Sequence, residues 1–242
     1  AEHLHPENSD FIAFWPKADA KPLKSTAMSV AVNAMATSGS STWAVGDKGY
    51  IGVWSGTGFT QQASPTGRDL FAVWALEGSS EAWAGGSEGT LLRRHSLGWN
   101  AVASPTSKAI IAITGSGKDK VWLLTDDNTM IRRAGGGWLT VSGPIKQAKP
   151  KTAWYQLDSD RLLALHQADD GSLIAAGHNG GLWVASPSES SVFLSWTKID
   201  TATKYSIRAL WGASKSDFFF AGDRGYFGRY GAGTLQVFEQ KT

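Results

Sequence analysis

The residues Trp43-Ala44-Val45-Gly46-Asp47-Lys48-Gly49-Tyr50-Ile51 decide the fold, because their pattern returns along the chain. Trp83-Ala84-Gly85-Gly86-Ser87-Glu88-Gly89-Thr90-Leu91 follows 40 residues later, and Trp122-Leu123-Leu124-Thr125-Asp126-Asp127-Asn128-Thr129-Met130 another 39 on. Ile174-Ala175-Ala176-Gly177-His178-Asn179-Gly180-Gly181-Leu182 and Phe219-Phe220-Ala221-Gly222-Asp223-Arg224-Gly225-Tyr226-Phe227 are the fourth and fifth copies, after steps of 52 and 45. Each copy has an apolar start, small residues, a polar turn and an apolar restart.

The flanks repeat as well. About ten residues before each anchor stands an Ala followed by an aliphatic: Ala34-Met35, Ala72-Val73, Ala112-Ile113, Ala164-Leu165 and Ala209-Leu210. After each restart a Gly- or Ser-containing turn leads to an aromatic in four units, Phe59, Trp99, Trp138 and Trp196, with Leu235 in the fifth. One unit therefore reads as four short strands, a to d, joined by turns. In the second unit they are expected at Leu70–Ala75, Glu81–Gly85, Thr90–His95 and Trp99–Ala103. No helical period is sustained along the chain. A four-stranded unit of about 40–45 residues, repeated around an axis, is a propeller blade.

The expected architecture is all-β: a five-bladed β-propeller of four-stranded antiparallel blades. The blades fall near 28–66, 67–106, 107–145, 160–201 and 204–242, with an insertion at 146–159 and a leader at 1–27. The apolar stretch Phe11-Ile12-Ala13-Phe14-Trp15 in the leader suits either an outer strand on the last blade or a surface-packed tail. Small Ala residues fit the crowded centre, where strands a meet. Trp and Phe fit the wider gaps between blades, and Gly supplies the positive φ of tight hairpins.

Composition agrees and excludes several chemistries. The 242 residues include 28 Gly and 12 Trp, are 42% hydrophobic and 18% charged, and contain no Cys. Thiol nucleophiles, disulfides and Cys-ligated metals are therefore excluded. A formal charge of +2 gives no bulk attraction to nucleic acid. No apolar run approaches the length of a membrane-spanning helix. The chain starts at Ala1 rather than Met, a start that signal-peptide cleavage or a cloning boundary would leave. The expected location is periplasmic or extracellular.

The unit Ser41-Thr42-Trp43-Ala44-Val45-Gly46-Asp47-Lys48-Gly49 resembles the repeats of bacterial BNR/Asp-box-like propellers, including the photosystem II assembly factor group. The box part is degraded here to Ser55-Gly56-Thr57-Gly58-Phe59, Ser96-Leu97-Gly98-Trp99 and Gly135-Gly136-Gly137-Trp138, without the Asp. The resemblance covers about 210 residues and implies the fold. It leaves function open, because such rings serve as lectins, hydrolases, scaffolds and assembly factors.

In an up-and-down blade the b–c and d–a connections share one face of the disc, and the a–b and c–d connections share the other. The b–c turns differ between blades and supply the partner-binding candidates Asp47, Lys48, Glu88, Asp126, Asn179, Asp223 and Arg224. Trp154 and Tyr155 in the insertion add exposed aromatic candidates. Arg93, Arg132 and Arg229 occupy equivalent strand-c sites and are candidates for a flank interface, with solvation as their simpler role. Asp126, Asp127 and Asn128 carry oxygens suited to Ca²⁺ but lack the spacing that puts several on one ion. No HExxH, nucleophile elbow or P-loop is present, and Gly115-Ser116-Gly117-Lys118 reads as an a–b turn. Trp74 and Trp211 match in position and suit inter-blade packing or ligand stacking.

No catalytic set, metal site or cofactor motif emerges. The expected function is non-enzymatic: a rigid protein-interaction or assembly scaffold. The alternatives are a carbohydrate-binding propeller lectin and, further off, an Asp-box-type glycosidase using a carboxylate pair.

Overall fold

The computed structural model describes residues 13–14, 23–24, 30–54, 58–145, 161–187 and 191–238. They form a five-bladed β-propeller whose blades are each four antiparallel strands in simple up-and-down order. Blade one is Val32–Ser38, Ser41–Gly46, Ile51–Trp54 and Phe59–Gln61. Blade two is Leu70–Ala75, Ala82–Gly86, Leu91–His95 and Gly98–Ala101. Blade three is Ile110–Gly117, Lys120–Thr125, Met130–Ala134 and Gly137–Val141. Blade four is Leu162–Gln167, Leu173–Gly177, Leu182–Ala185 and Trp196–Lys198. Blade five is Ile207–Ser214, Asp217–Gly222, Phe227–Gly231 and Thr234–Val237. Ala13–Phe14 pairs with Leu23–Lys24 in a separate two-stranded sheet. The Gly115–Gly117 stretch belongs to strand a rather than to the turn that follows it.

The recurrent Ala has a backbone cause. Strand a slips register against strand b at the same place in every blade, between Val32 and Ala34, Leu70 and Ala72, Ile110 and Ala112, Leu162 and Ala164, and Ile207 and Ala209. Each slip is a β-bulge that adds local twist, and the Ala follows the bulged residue. The last residue of strand b is Gly in four blades because the strand-a backbone passes so close. A Cβ on Gly86 would lie 2.0 Å from the Asp69 carbonyl oxygen, and one on Gly222 2.1 Å from that of Ser206.

Apolar side chains fill the seams between blades. Trp43, Val45 and Ile51 of blade one pack on Leu70, Val73 and Leu92 of blade two. Ala72, Trp83 and Leu91 continue onto Ile110, Ile113 and Leu123 of blade three. Trp122, Leu124 and Met130 meet Leu162, Leu165 and Leu173 of blade four. Ile174, Ala176 and Leu182 meet Ile207, Phe218 and Phe220 of blade five. Edge-to-face aromatic pairs reinforce two seams: Trp43 on Trp99 at 5.6 Å and Trp83 on Trp138 at 5.7 Å between centroids. Among the described residues, none of these four clusters joins the fifth blade to the first.

Candidate functional site

The b–c turns lie on one face, tied to the loop that starts strand a. The amides of Asp47, Ser87, Asp126, His178 and Asp223 donate to the carbonyls of Ala31, Asp69, Ala109, Arg161 and Ser206. Four of the turns place two consecutive residues in the left-handed region, the first being Lys48, Glu88, Asn179 or Arg224. The second is Gly49, Gly89, Gly180 or Gly225. Blade three has Asn128 at the Gly position, with φ 68°. The variable side chains thus ride on one repeated backbone bend.

Most of the sequence-nominated turn residues are engaged within the chain. Asp47 Oδ1 accepts from Asn33 Nδ2 at 2.9 Å, and the Lys48 amide donates to Asp69 Oδ1 at 2.8 Å. Glu88 pairs with Arg68 at 2.7 Å, both well exposed. Asp223 is bound by Arg208, which with the backing of Ser206 and His178 holds its carboxyl below the usual range. Arg224 lies over the Tyr205 ring at 5.7 Å. Asn179 is left-handed at φ 51°. Asp126 is half-buried, and its Oδ1 is a buried acceptor with no hydrogen-bond partner. The five turns lie on separate blades, and among the described residues no group of three or more His, Asp or Glu side chains gathers to hold a metal ion. Trp154 and Tyr155 lie outside the described residues, as does the insertion at 146–159.

Blade three builds its turn differently. Thr125 replaces the bulge-side Gly, and its hydroxyl donates to Asp127 Oδ1 at 2.6 Å. The Thr129 hydroxyl and amide donate to the same oxygen at 2.7 and 3.2 Å. Asn128 Oδ1 accepts the Leu162 amide at 2.9 Å and so staples blade three to blade four.

The strand-c arginines separate into two kinds. Arg93 lies opposite Trp83 and donates to Glu81 Oε1 at 2.8 Å, with its guanidinium 5.0 Å from the Trp83 ring. Arg229 lies opposite Phe219 and makes a two-pronged pair with Asp217. The acid in each case stands two residues before the strand-b aromatic. In blade three that position is Lys120, two before Trp122, and Arg132 lies opposite Trp122. A basic residue therefore stands where the other two blades supply a carboxylate.

This reversal sits in a groove of about 390 Å³ on the opposite face of the disc, between the a–b and c–d turns of blades three and four. Lys120, Trp122, Arg132, Arg133 and Gln167 line it, with Asp119, Gly135, Gly171 and Pro187 at its rim. Arg132 is buried. Arg133 Nε donates to Asp119 Oδ1 at 3.2 Å and stacks at 5.3 Å over Trp138. Among the described lining residues, Lys120, Arg132 and Arg133 are cationic and Asp119 is acidic. The buried Oε1 of Gln167 has no hydrogen-bond partner. Sequence inspection singled out Arg132 but not Lys120 or Gln167. The signal for Lys120 was the change of sign at one repeat position, Glu81, Lys120, Asp217, visible only once the strands are in register.

No family model and no curated protein matches the sequence. Solved structures do match its fold. U3-55K superposes with a TM-score of 0.71 at 10% identity, over 96% of this chain and 75% of that one. YCF48 from Cyanidioschyzon merolae superposes at 0.61 with 16% identity, over 90% and 74%. YCF48 bound to D1 peptide gives 0.56 at 12% identity, over 86% and 69%. At these identities the likeness establishes the propeller fold alone.

Proposed function

We propose that this protein is a non-enzymatic scaffold that holds an extended peptide segment of a partner protein, with a carboxylate of that peptide in the groove between blades three and four. The observation that carries this is Lys120 beside Arg132, at the position where Glu81 and Asp217 pair the equivalent arginines. An incoming carboxylate would meet the cations Lys120, Arg132 and Arg133 along one groove, and charge-assisted hydrogen bonds are among the stronger polar contacts. Gln167 lines the same groove, and Trp122 supplies an apolar wall. Blades are rigid, so the groove would bind with little ordering cost. A solved YCF48 propeller carries a bound D1 peptide, which makes peptide capture a reasonable use of this fold.

The non-catalytic part of the proposal draws on the acids of the turns: Asp47 and Asp223 are bonded to neighbours and Glu88 to Arg68, and they stand on separate blades. A glycosidase needs two carboxylates flanking one bond.

The test is fluorescence anisotropy with a labelled peptide whose only carboxylate is its free C-terminus, beside its amidated counterpart. The free acid should bind more tightly, and Lys120→Ala should remove most of that difference. Equal binding of the two forms, or none, would overturn the proposal. Turnover of a chromogenic glycoside would overturn its non-enzymatic part.

A further inference from the structure

Four blades hand their trailing face to the next blade, and among the described residues no apolar cluster covers the same face of the fifth. In blade two that face carries Ala72, Trp74, Trp83 and Leu91, covered by blade three, with Trp83 1% and Leu91 2% exposed. The strand register puts Ala209, Trp211, Phe219 and Phe227 at those positions in blade five. There Ala209 is exposed, Trp211 is 68% exposed and Phe227 42%.

These side chains form a continuous row across strands a to c, extended by Phe238 just past strand d. Trp211 lies 6.0 Å from Phe219, and Phe219 stacks 6.0 Å from Phe227 with ring planes 8° apart. Phe227 lies 5.3 Å from Phe238, which is itself 44% exposed. The open parts of four large aromatics amount to on the order of a few hundred Å², a patch size that marks interaction surfaces on soluble proteins.

We propose that this row is an inter-blade seam whose occupant is a sixth blade: a four-stranded antiparallel sheet with an aliphatic leading face. Precedent within the chain selects that occupant. At all four covered seams the covering element is a blade whose strand a begins with two aliphatics three residues apart: Leu70 and Val73, Ile110 and Ile113, Leu162 and Leu165, Ile207 and Leu210. Among the described residues, no apolar cluster seats blade one there. Blade one has Thr37, Thr42 and Gly52 where blade two has Ala75, Ala82 and Leu92, its two threonine hydroxyls bond each other at 3.1 Å, and Met35 is 41% exposed. The similar solved propellers also extend beyond the part this chain matches, which is 75% of U3-55K and 74% of YCF48. The proposal is independent of the groove between blades three and four.

The chain has no Cys, so Ala209→Cys introduces a single thiol into the face. Its labelling rate with a thiol reagent is measured in the full chain and in chains extended after Thr242 by a probe blade. Two probes are used, copies of residues 67–106 and of 107–145, so that the failure of one unit to fold does not decide the result. Labelling should be fast in the chain alone and at least about tenfold slower with one of the probe blades, as burial limits access to local opening. Labelling equally fast with both probes overturns the proposal. Slow labelling in the chain alone that becomes fast when residues 1–29 are deleted assigns the face to the N-terminal segment and overturns it. Labelling that slows as protein concentration rises assigns the face to a second copy and overturns it as well.

Discussion

Arg229 grips Asp217 with both prongs, Nε to Oδ1 at 2.8 Å and Nη2 to Oδ2 at 2.9 Å, across strands b and c of the fifth blade. Glu81 and Arg93 repeat this cross-strand pairing in blade two, whereas blade three sets Lys120 beside Arg132. Lys120→Glu would put an acid at that repeat position in blade three, as in blades two and five. The introduced acid should replace an attractive charge in the groove by a repulsive one, lower affinity for a carboxylate peptide by about tenfold or more, and leave the melting temperature unchanged or slightly raised. Anisotropy titration beside thermal melting separates these effects. Binding that survives the substitution would place the peptide elsewhere.

At its b–c turn, blade three is stapled to blade four by one side chain. Asn128 Oδ1 accepts the amide of Leu162, which is wholly buried. Asn128→Ala would leave that N–H without a partner, and its position also requires a left-handed backbone that alanine disfavours. The cost should be about 1–3 kcal/mol for the orphaned donor alone, read as a lower denaturation midpoint in urea. Asn128→Asp, which keeps an acceptor, should recover a large part of it.

The blades were legible because each repeats a local rule. Trp43, Trp83 and Trp122 announce strand b, and the Ala after each bulge announces strand a. In blade two the expected strand a matches the observed Leu70–Ala75, and the other strands agree within a residue or two at each end. The groove was less legible, because Lys120 is unremarkable until its repeat partners Glu81 and Asp217 are laid beside it. Trp211 shows a limit of another kind. It shares a position with Trp74 and reads like a packing residue, yet Trp74 is covered by blade three while Trp211 is open. Burial depends on the neighbour, and the residue itself does not record whether that neighbour is present.

Glycine at the end of strand b is there for space, since the backbone at Gly86 is extended. A methyl group would meet the Asp69 carbonyl at 2.0 Å, backbone against backbone, with no flexible side chain to move aside. Gly86→Ala should therefore destabilise by about 2–4 kcal/mol, in the range of overpacked core sites. Gly67→Ala has open space around the added methyl and should stay within about 0.5 kcal/mol of the parent. Similar losses at the two sites would refute the close-approach explanation.

Acid should loosen the blade-three turn through Asp127. Burial by itself raises this carboxyl, but the donors of Thr125 and Thr129, with the positive field of Lys108, outweigh it and hold the group below its ordinary value. A carboxylate depressed in the folded state contributes stability that is fully present above its unfolded pKa, about 3.9, and is lost as pH falls through the lower folded value. Urea unfolding midpoints measured downward from about pH 5 should fall, part of the slope lying below about pH 4. Asp127→Asn keeps an oxygen acceptor but cannot titrate, so its profile should be flatter in that window while the parent's advantage near neutrality disappears in acid. Parallel profiles for the two proteins would show that Asp127 carries no linked proton on unfolding.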